Sequence, residues 1–205
     1  MIRALVVAAT GVAVFAIETI MVAGNPGATG FDASALDAAD ELNSGAGVAV
    51  AKLVTAFGSL PVTAALTLIA AVVLSRSRRR TEAAALVAAA IAIVITVHAA
   101  KAVIDRPRPP HPLTGATLAA FPSGHSAYST VYVAVALLAH RRLGIAAAVA
   151  IAFAIGLTRI YLRVHWASDV LAGWALGAAI FGAATVIAIV VGRFRNNDRA
   201  TCTQP

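Results

Sequence analysis

Apolar runs near 20 residues recur along this chain, at roughly 4–23, 53–74, 83–104, 122–139, 143–161 and 168–192. A helix of that length crosses about 30 Å of hydrocarbon. In lipid, every backbone polar group must be satisfied internally, so the choice lies between helices and closed barrels. The runs are continuous and alanine-rich, without the period-two alternation of a barrel strand. The pattern predicts an all-α, polytopic membrane protein with six transmembrane helices in a bundle. The whole chain, 1–205, reads as one domain, with a core over about 4–192 and a polar tail over 193–205. Composition agrees: 60% of residues are hydrophobic and 12% charged. An average soluble domain carries about 25% charged residues. A soluble fold, a disordered chain, a coiled coil and a disulfide scaffold are thereby excluded.

Two features of the runs carry expectations of their own. Glu18 sits inside the first run, where a carboxylate is costly unless it faces protein, and a packing contact near the membrane edge is expected. That run is longer than the apolar core of a signal peptide and lacks a tidy A-x-A site, so it reads as a retained helix. Gly173 and Gly177 form a GxxxG in the last run, which allows close approach of a neighbouring helix.

The net charge is +7. Arginines lie in short clusters between apolar runs, so membrane orientation explains them better than a nucleic-acid partner does. Arg3, Arg76, Arg78, Arg79, Arg80, Arg141, Arg142, Arg193, Arg195 and Arg199 all fall on one side if six helices alternate, and that side should be cytoplasmic. Both termini are expected inside, in a cell inner (plasma) membrane. The first outer connection, 31–44, carries Asp32, Asp37, Asp40 and Glu41. It reads as a solvated connector, with a short surface helix as the alternative. Cys202, the one cysteine, has no internal partner.

Lys52, Lys101, Arg106, Arg108, Arg159 and Arg163 remain unexplained by topology. A helix starting near Glu82 reaches Lys101 after about 29 Å, at its outer end. A helix starting near Leu143 reaches Arg159 at the same face. The next helices begin there at Pro122 and near Asp169. Four helix ends therefore bring Lys101, Arg108, Ser123, Gly124, His125, Arg159, His165 and Asp169 to one depth. Such a cluster of cations and histidines points to a dense anion. Pro122-Ser123-Gly124-His125 reads as a capped helix start, whose free N–H groups suit a phosphate oxygen. His165 and Asp169, four apart on a helical turn, share a face, and a carboxylate on one imidazole nitrogen leaves the other free as nucleophile or base. His98, His111 and His140 complete no ligand pattern with them, and the cations would repel a divalent ion. The site is expected to need no metal and no cofactor.

At these residues the chain resembles the type-2 phosphatidic acid phosphatase family, also called the lipid phosphate phosphatase or haloperoxidase-like superfamily. Its three motifs are K-x6-R-P, P-S-G-H and S-R-x5-H-x3-D. Here they fall at Lys101 to Pro109, at Pro122 to His125, and at Thr158-Arg159 through His165 to Asp169. The departure is Thr158 in place of serine, which keeps a hydroxyl. The resemblance implies a catalytic set of His165 as nucleophile, Asp169 orienting it and His125 as general acid. It implies a phosphate-binding set of Lys101, Arg108, Ser123, Gly124 and Arg159. It carries no role over to Arg106, Arg163 or His111.

The expected function is hydrolysis of a lipid phosphate monoester or diphosphate at the outer face, through a phosphohistidine. Polyprenyl diphosphate, phosphatidylglycerophosphate and phosphatidic acid are candidate substrates, the first slightly favoured. Lipid substrate and membrane lipids are the expected partners. The rival is a transporter or lipid-flipping protein using the same cations, which predicts charges and broken helices near the bilayer centre. A soluble haloperoxidase is argued against by the six spans.

Overall fold

The computed structural model describes the backbone of residues 1–140 and 142–201, and side chains through Phe194 apart from Arg141. Cys202, Arg141 and the side chains of Arg195 and Arg199 lie outside the described residues. The described elements are helices: α1 (Ile2–Gly24), α2 (Gly30–Glu41), α3 (Gly45–Ala56), α4 (Leu60–Arg76), α5 (Arg80–Ile104), α6 (Gly124–Leu138), α7 (Arg142–Tyr161) and α8 (Ala167–Thr201).

Among the described residues, five stretches are long and apolar enough to cross a membrane: Ile2–Gly24, Gly45–Arg76, Arg80–Ile104, Arg142–Tyr161 and Ala167–Phe194. The expected all-helical membrane bundle is thus present. The count of six rests on α6, whose 15 residues span only about 22 Å. The stretch expected as one helix from 53 to 74 begins earlier and is broken at Phe57–Ser59. Pro61 in the first turn favours a fresh start for α4. Gly58 permits the break to nestle in the bundle, since a Cβ there would lie 2.4 Å from Ile155 Cγ2 and 3.3 Å from His125 Cβ.

Helix α8 is the hub, packed against α1, α5, α6 and α7. Small residues let it be approached from two sides. On one, a Cβ at Gly11 of α1 would fall 2.6 Å from Ala175 O and from Ala179 N. On the other, Gly173 faces Ser123 O and Gly177 faces Thr130. The GxxxG therefore serves α6 of the same chain. Helices α1 and α8 run antiparallel, with Ala8 beside Gly182 and Val22 packed with Ala172 and Phe121.

The bundle has two chemically distinct ends. At one, Arg79 pairs with Glu82 and donates to Leu138 O at 2.9 Å, tying the start of α5 to the end of α6. At the other lie Lys101, the start of α6, the end of α7 and the start of α8. The reading of 31–44 as a solvated connector is corrected here. The segment folds as α2, closed at its start by a Thr29–Asp32 capping box, and Asp32 is fully buried. A carboxylate reaches zero exposure only when its oxygens are satisfied, and Asp32 accepts several hydrogen bonds from the α8 start and from Arg106.

Candidate active site

Short-range forces at four helix ends assemble the site. Lys101 stands in the last turn of α5, and Asp105, at φ 44°, turns the chain out of that helix. Ser123 caps α6, accepting from Ser126 N and Ser126 Oγ, while its own N–H donates to Asp169 O at 2.9 Å. That last bond fixes the start of α6 to the start of α8. Gly124 and His125 follow in the first turn, where N–H groups have no acceptor inside the helix. Arg159 occupies the last turn of α7, and its Nη1 donates to Thr55 Oγ1 of α3 at 2.9 Å. Its Nε is buried without a hydrogen-bond partner. Buried donors are rarely left so unless something else fills the space.

His165 lies in the short link between α7 and α8, only 3% exposed. Its Nδ1 is 3.4 Å from Asp169 Oδ2 and lacks a hydrogen bond, and that oxygen accepts from Trp166 N at 2.8 Å. Catalytic hydrogen bonds are often this long before substrate arrives. Its Nε2 is 3.4 Å from Arg108 Nη1. Burial, reinforced by the positive field of Arg159, Lys101, Arg108 and His125, holds the imidazole well below its usual pKa and therefore neutral. A neutral imidazole is the form able to act as a nucleophile.

Arg108 is half-buried and is held by loop carbonyls: Nε donates to Leu118 O, Nη2 to Thr117 O and Ala119 O, and Nη1 to Val164 O. Burial lowers its pKa somewhat, against the pull of Asp169. Lys101 Nζ donates to Ala119 O at 2.5 Å and Ala120 O at 3.1 Å. The loop between α5 and α6 is thus folded around Arg108, which it carries, and around Lys101 at the end of α5.

The structure places Lys101, Arg108, His125, Arg159, His165 and Asp169 within electrostatic reach of one another, with Ser123 and Gly124 at the start of α6 beside Asp169. It also adds residues that the sequence left without a role. Arg106 is 1% exposed and its guanidinium bridges two carboxylates, Asp169 Oδ1 at 2.6 Å and Asp32 Oδ2 at 2.7 Å. Nη1 also donates to Ser168 Oγ, Nε to Pro26 O and Nη2 to Gly27 O. Asp32 Oδ1 accepts from Ser168 N at 2.9 Å and from Ser168 Oγ at 2.7 Å. Burial pushes the Asp32 carboxyl up, but the hydrogen bonds from Ser168, Thr29 and Arg106 outweigh it and hold it below the usual carboxylate range. Removing one partner of such a buried pair costs about 3–5 kcal/mol. The available signals were an arginine outside the topology set and Thr-x-x-Asp at 29–32, the spacing of a capping box. Arg163 bonds Asp40 Oδ2 and Pro110 O and so braces α2, and His111 is exposed. Glu18 is partly buried and lies within electrostatic reach of Asp32, Arg106 and Asp169.

The PAP2 superfamily sequence profile matches residues 82–193. The decaprenylphosphoryl-5-phosphoribose phosphatase of Mycobacterium tuberculosis is 37% identical over 139 residues, covering 65% of this chain and 75% of that protein. Phosphatidylglycerophosphatase B of Bacillus subtilis is 37% identical over 92 residues, covering 40% of this chain and 45% of that one. The fold matches the crystal structure of a transmembrane PAP2-type phosphatidylglycerolphosphate phosphatase from Bacillus subtilis, with a TM-score of 0.79 at 24% identity over 90% of this chain and 98% of that one. It also matches Aquifex aeolicus LpxE, with a TM-score of 0.61 at 24% identity over 75% and 92% of the two chains.

Proposed function

The chain belongs to the PAP2 superfamily, and from that membership we propose that it hydrolyses a phosphate ester on the head group of a polyprenyl lipid through a phosphohistidine at His165. The observation that carries the reading is a buried, neutral imidazole set among Lys101, Arg108 and Arg159 and backed by Asp169. Relatives named as phosphatases favour an enzyme over the transporter alternative. The longer of those two matches, to an enzyme named for a decaprenyl-linked phosphosugar, supports a polyprenyl carrier. An apolar cavity of about 310 Å³ between α4, α5 and α6, lined in part by Leu60, Val94 and Tyr128, gives a hydrocarbon tail somewhere to lie. Tyr128 packs against Gly124, so the cavity approaches the start of α6.

In the proposed cycle, His165 Nε2 attacks phosphorus and a P–N bond forms. The P–O bond to the leaving group breaks, and His125, protonated once the substrate's phosphate charge offsets the surrounding cations, donates the proton that the departing oxygen takes up. Asp169 holds the Nδ1 proton and the imidazolium charge that develops. Lys101, Arg108, Arg159 and the first N–H groups of α6 bind the three remaining phosphate oxygens. Water, deprotonated by His125, then attacks phosphorus, the P–N bond breaks, and inorganic phosphate leaves.

The test is phosphate release by the purified protein from decaprenylphosphoryl phosphoribose, polyprenyl diphosphate, phosphatidylglycerophosphate and phosphatidic acid, with and without EDTA. The polyprenyl substrates should turn over fastest. The rate should survive chelation, because the cations supply charge that magnesium supplies in other phosphoryl-transfer sites. No release from any lipid would overturn the reading. Loss with EDTA that a divalent ion restores would overturn its metal-free form.

A further inference from the structure

The buried network behind Asp169 extends beyond the three motifs. Arg106 belongs to the loop after α5, Ser168 and Asp169 to α8, and Asp32 to α2, which precedes the stretch matched by the family profile. Nη1 of Arg106 reaches Asp169 Oδ1 and Nη2 reaches Asp32 Oδ2, so one rigid guanidinium fixes the plane of both carboxylates. With Oδ1 of Asp169 held by Arg106, Oδ2 is the oxygen left facing His165 Nδ1, at 3.4 Å. Trp166 stands over the same guanidinium, 5.7 Å from ring centroid to Cζ, and its Nε1 donates to Pro107 O. The arginine is therefore clamped from its face as well as from its edge.

Charge explains why a second carboxylate belongs there. Asp169 with Arg106 alone would be neutral as a pair, and the cation would compete with the imidazole for the Asp169 charge. Asp32 returns the trio to a net charge of minus one. We propose that Asp32 and Arg106 are positioning residues for catalysis, acting as a charge-balanced outer couple that orients Asp169 and keeps its negative charge available to His165. The inference rests on the phosphohistidine reading. It draws α2, outside the motif set, into the chemistry of the site.

The charged and titratable groups around His165 are Lys101 from α5, Arg108 from the loop, His125 from α6, Arg159 from α7 and Asp169 from α8. Behind Asp169 stand Arg106, Asp32 and, from α1, Glu18. Against that fixed background the sign of each substitution is defined. Asp32→Asn leaves the trio neutral, destabilises the imidazolium and should move the acid limb of kcat/KM to lower pH. Arg106→Gln leaves it at minus two and should move the limb to higher pH. The double variant restores minus one and should return it towards the wild-type position. Each single shift should be roughly half a pH unit or more, the effect of one charge across a medium of intermediate dielectric. A residue that only braces the fold gives no such reversal of sign.

The experiment measures kcat and KM against pH for the full-length protein in detergent, with one substrate throughout, so that the substrate's own ionisation is common to all variants. Asp32→Asn should lower kcat about tenfold or more, as loss of an outer partner does at other oriented imidazoles, and leave KM within about twofold. Melting temperature is recorded alongside. If Asp32→Asn does not yield folded protein, the limb of Arg106→Gln alone decides, since an unmoved or downward limb there overturns the inference. Coincident limbs in the wild type and all three variants overturn it as well. A wild-type protein inactive on every lipid overturns the functional reading and the inference with it, which separates the two failures.

Discussion

His165→Ala takes away the nitrogen proposed to attack phosphorus yet leaves Lys101, Arg108 and Arg159 in place. Turnover should fall roughly 10⁵-fold or more, while binding of the lipid stays within a few-fold, as equilibrium binding to the variant would show. His125→Ala should behave differently. An alkoxide leaving from a lipid monoester needs a proton, and an aryl oxide needs it far less, so this variant should keep more of its activity on an activated aryl phosphate than on phosphatidic acid. It should also accumulate radiolabelled phosphoenzyme from the activated substrate. Label recovered on His125 of the His165→Ala protein would reverse the two assignments. The neutrality of His165 sets the pH range as well. Burial and the surrounding cations favour the unprotonated ring, so protonation of His165 should not limit activity until the pH falls below 6.5, where an ordinary imidazole charges.

At the scale of elements, the site depends on how closely α6 and α8 approach. A Cβ on Gly173 would lie 2.5 Å from Ser123 O, a backbone atom that cannot swing aside. Gly173→Ala should therefore displace the start of α6, cost about 1–3 kcal/mol of stability and lower kcat together with melting temperature. Gly192→Ala, further along α8 with nothing within 4 Å of the added carbon, should change neither measurement. Equal effects from the two would show that the contact does not position the anion site. The same elements mark where sequence reading succeeds and where it stops. Short spacing is a local property, so the nearness of His165 to Asp169 and the capped start at Ser123 were legible from the chain alone, although His165 lies in the link before α8 and not on the helical turn expected for it. Tertiary partners are not local. Asp32 lies 136 positions from Ser168, and its acidic, amphipathic surroundings resemble any solvated segment until α2 folds against α8. The break at Phe57–Ser59 did carry a local signal in Gly58, Ser59 and Pro61, but it was outweighed by the apolar stretches on either side. The run expected over 122–139 differs from α6 only at its ends, where Pro122 precedes the helix and Ser123 and Ala139 are its caps.

Across the whole molecule, charge separates the two ends of the bundle, and this gives the last prediction. Helix α5 is 25 residues long, about 37 Å, so the arginines at 76–80 and Lys101 near its far end stand on opposite faces of a bilayer. Because α1 and α8 are antiparallel, α1 begins at the arginine end, and Arg193 of α8 returns to that end. If the arginine clusters stay in the cytoplasm, as the positive-inside rule leads one to expect, the loop between α5 and α6, and the site it folds around, should lie on the outer side. That sidedness suits recycling of a lipid carrier whose phosphate is exposed outside the cell. Single cysteines at Thr114 and at Ser77, each in a Cys202→Ser background, test it in intact cells. Thr114 lies in the site loop and Ser77 is exposed in the turn between α4 and α5. An impermeant maleimide should label the Thr114→Cys protein and spare the Ser77→Cys protein until the membrane is opened. The reverse pattern would turn the molecule over, place hydrolysis in the cytoplasm, and remove the argument for an outward-facing carrier lipid while leaving the chemistry of the site untouched.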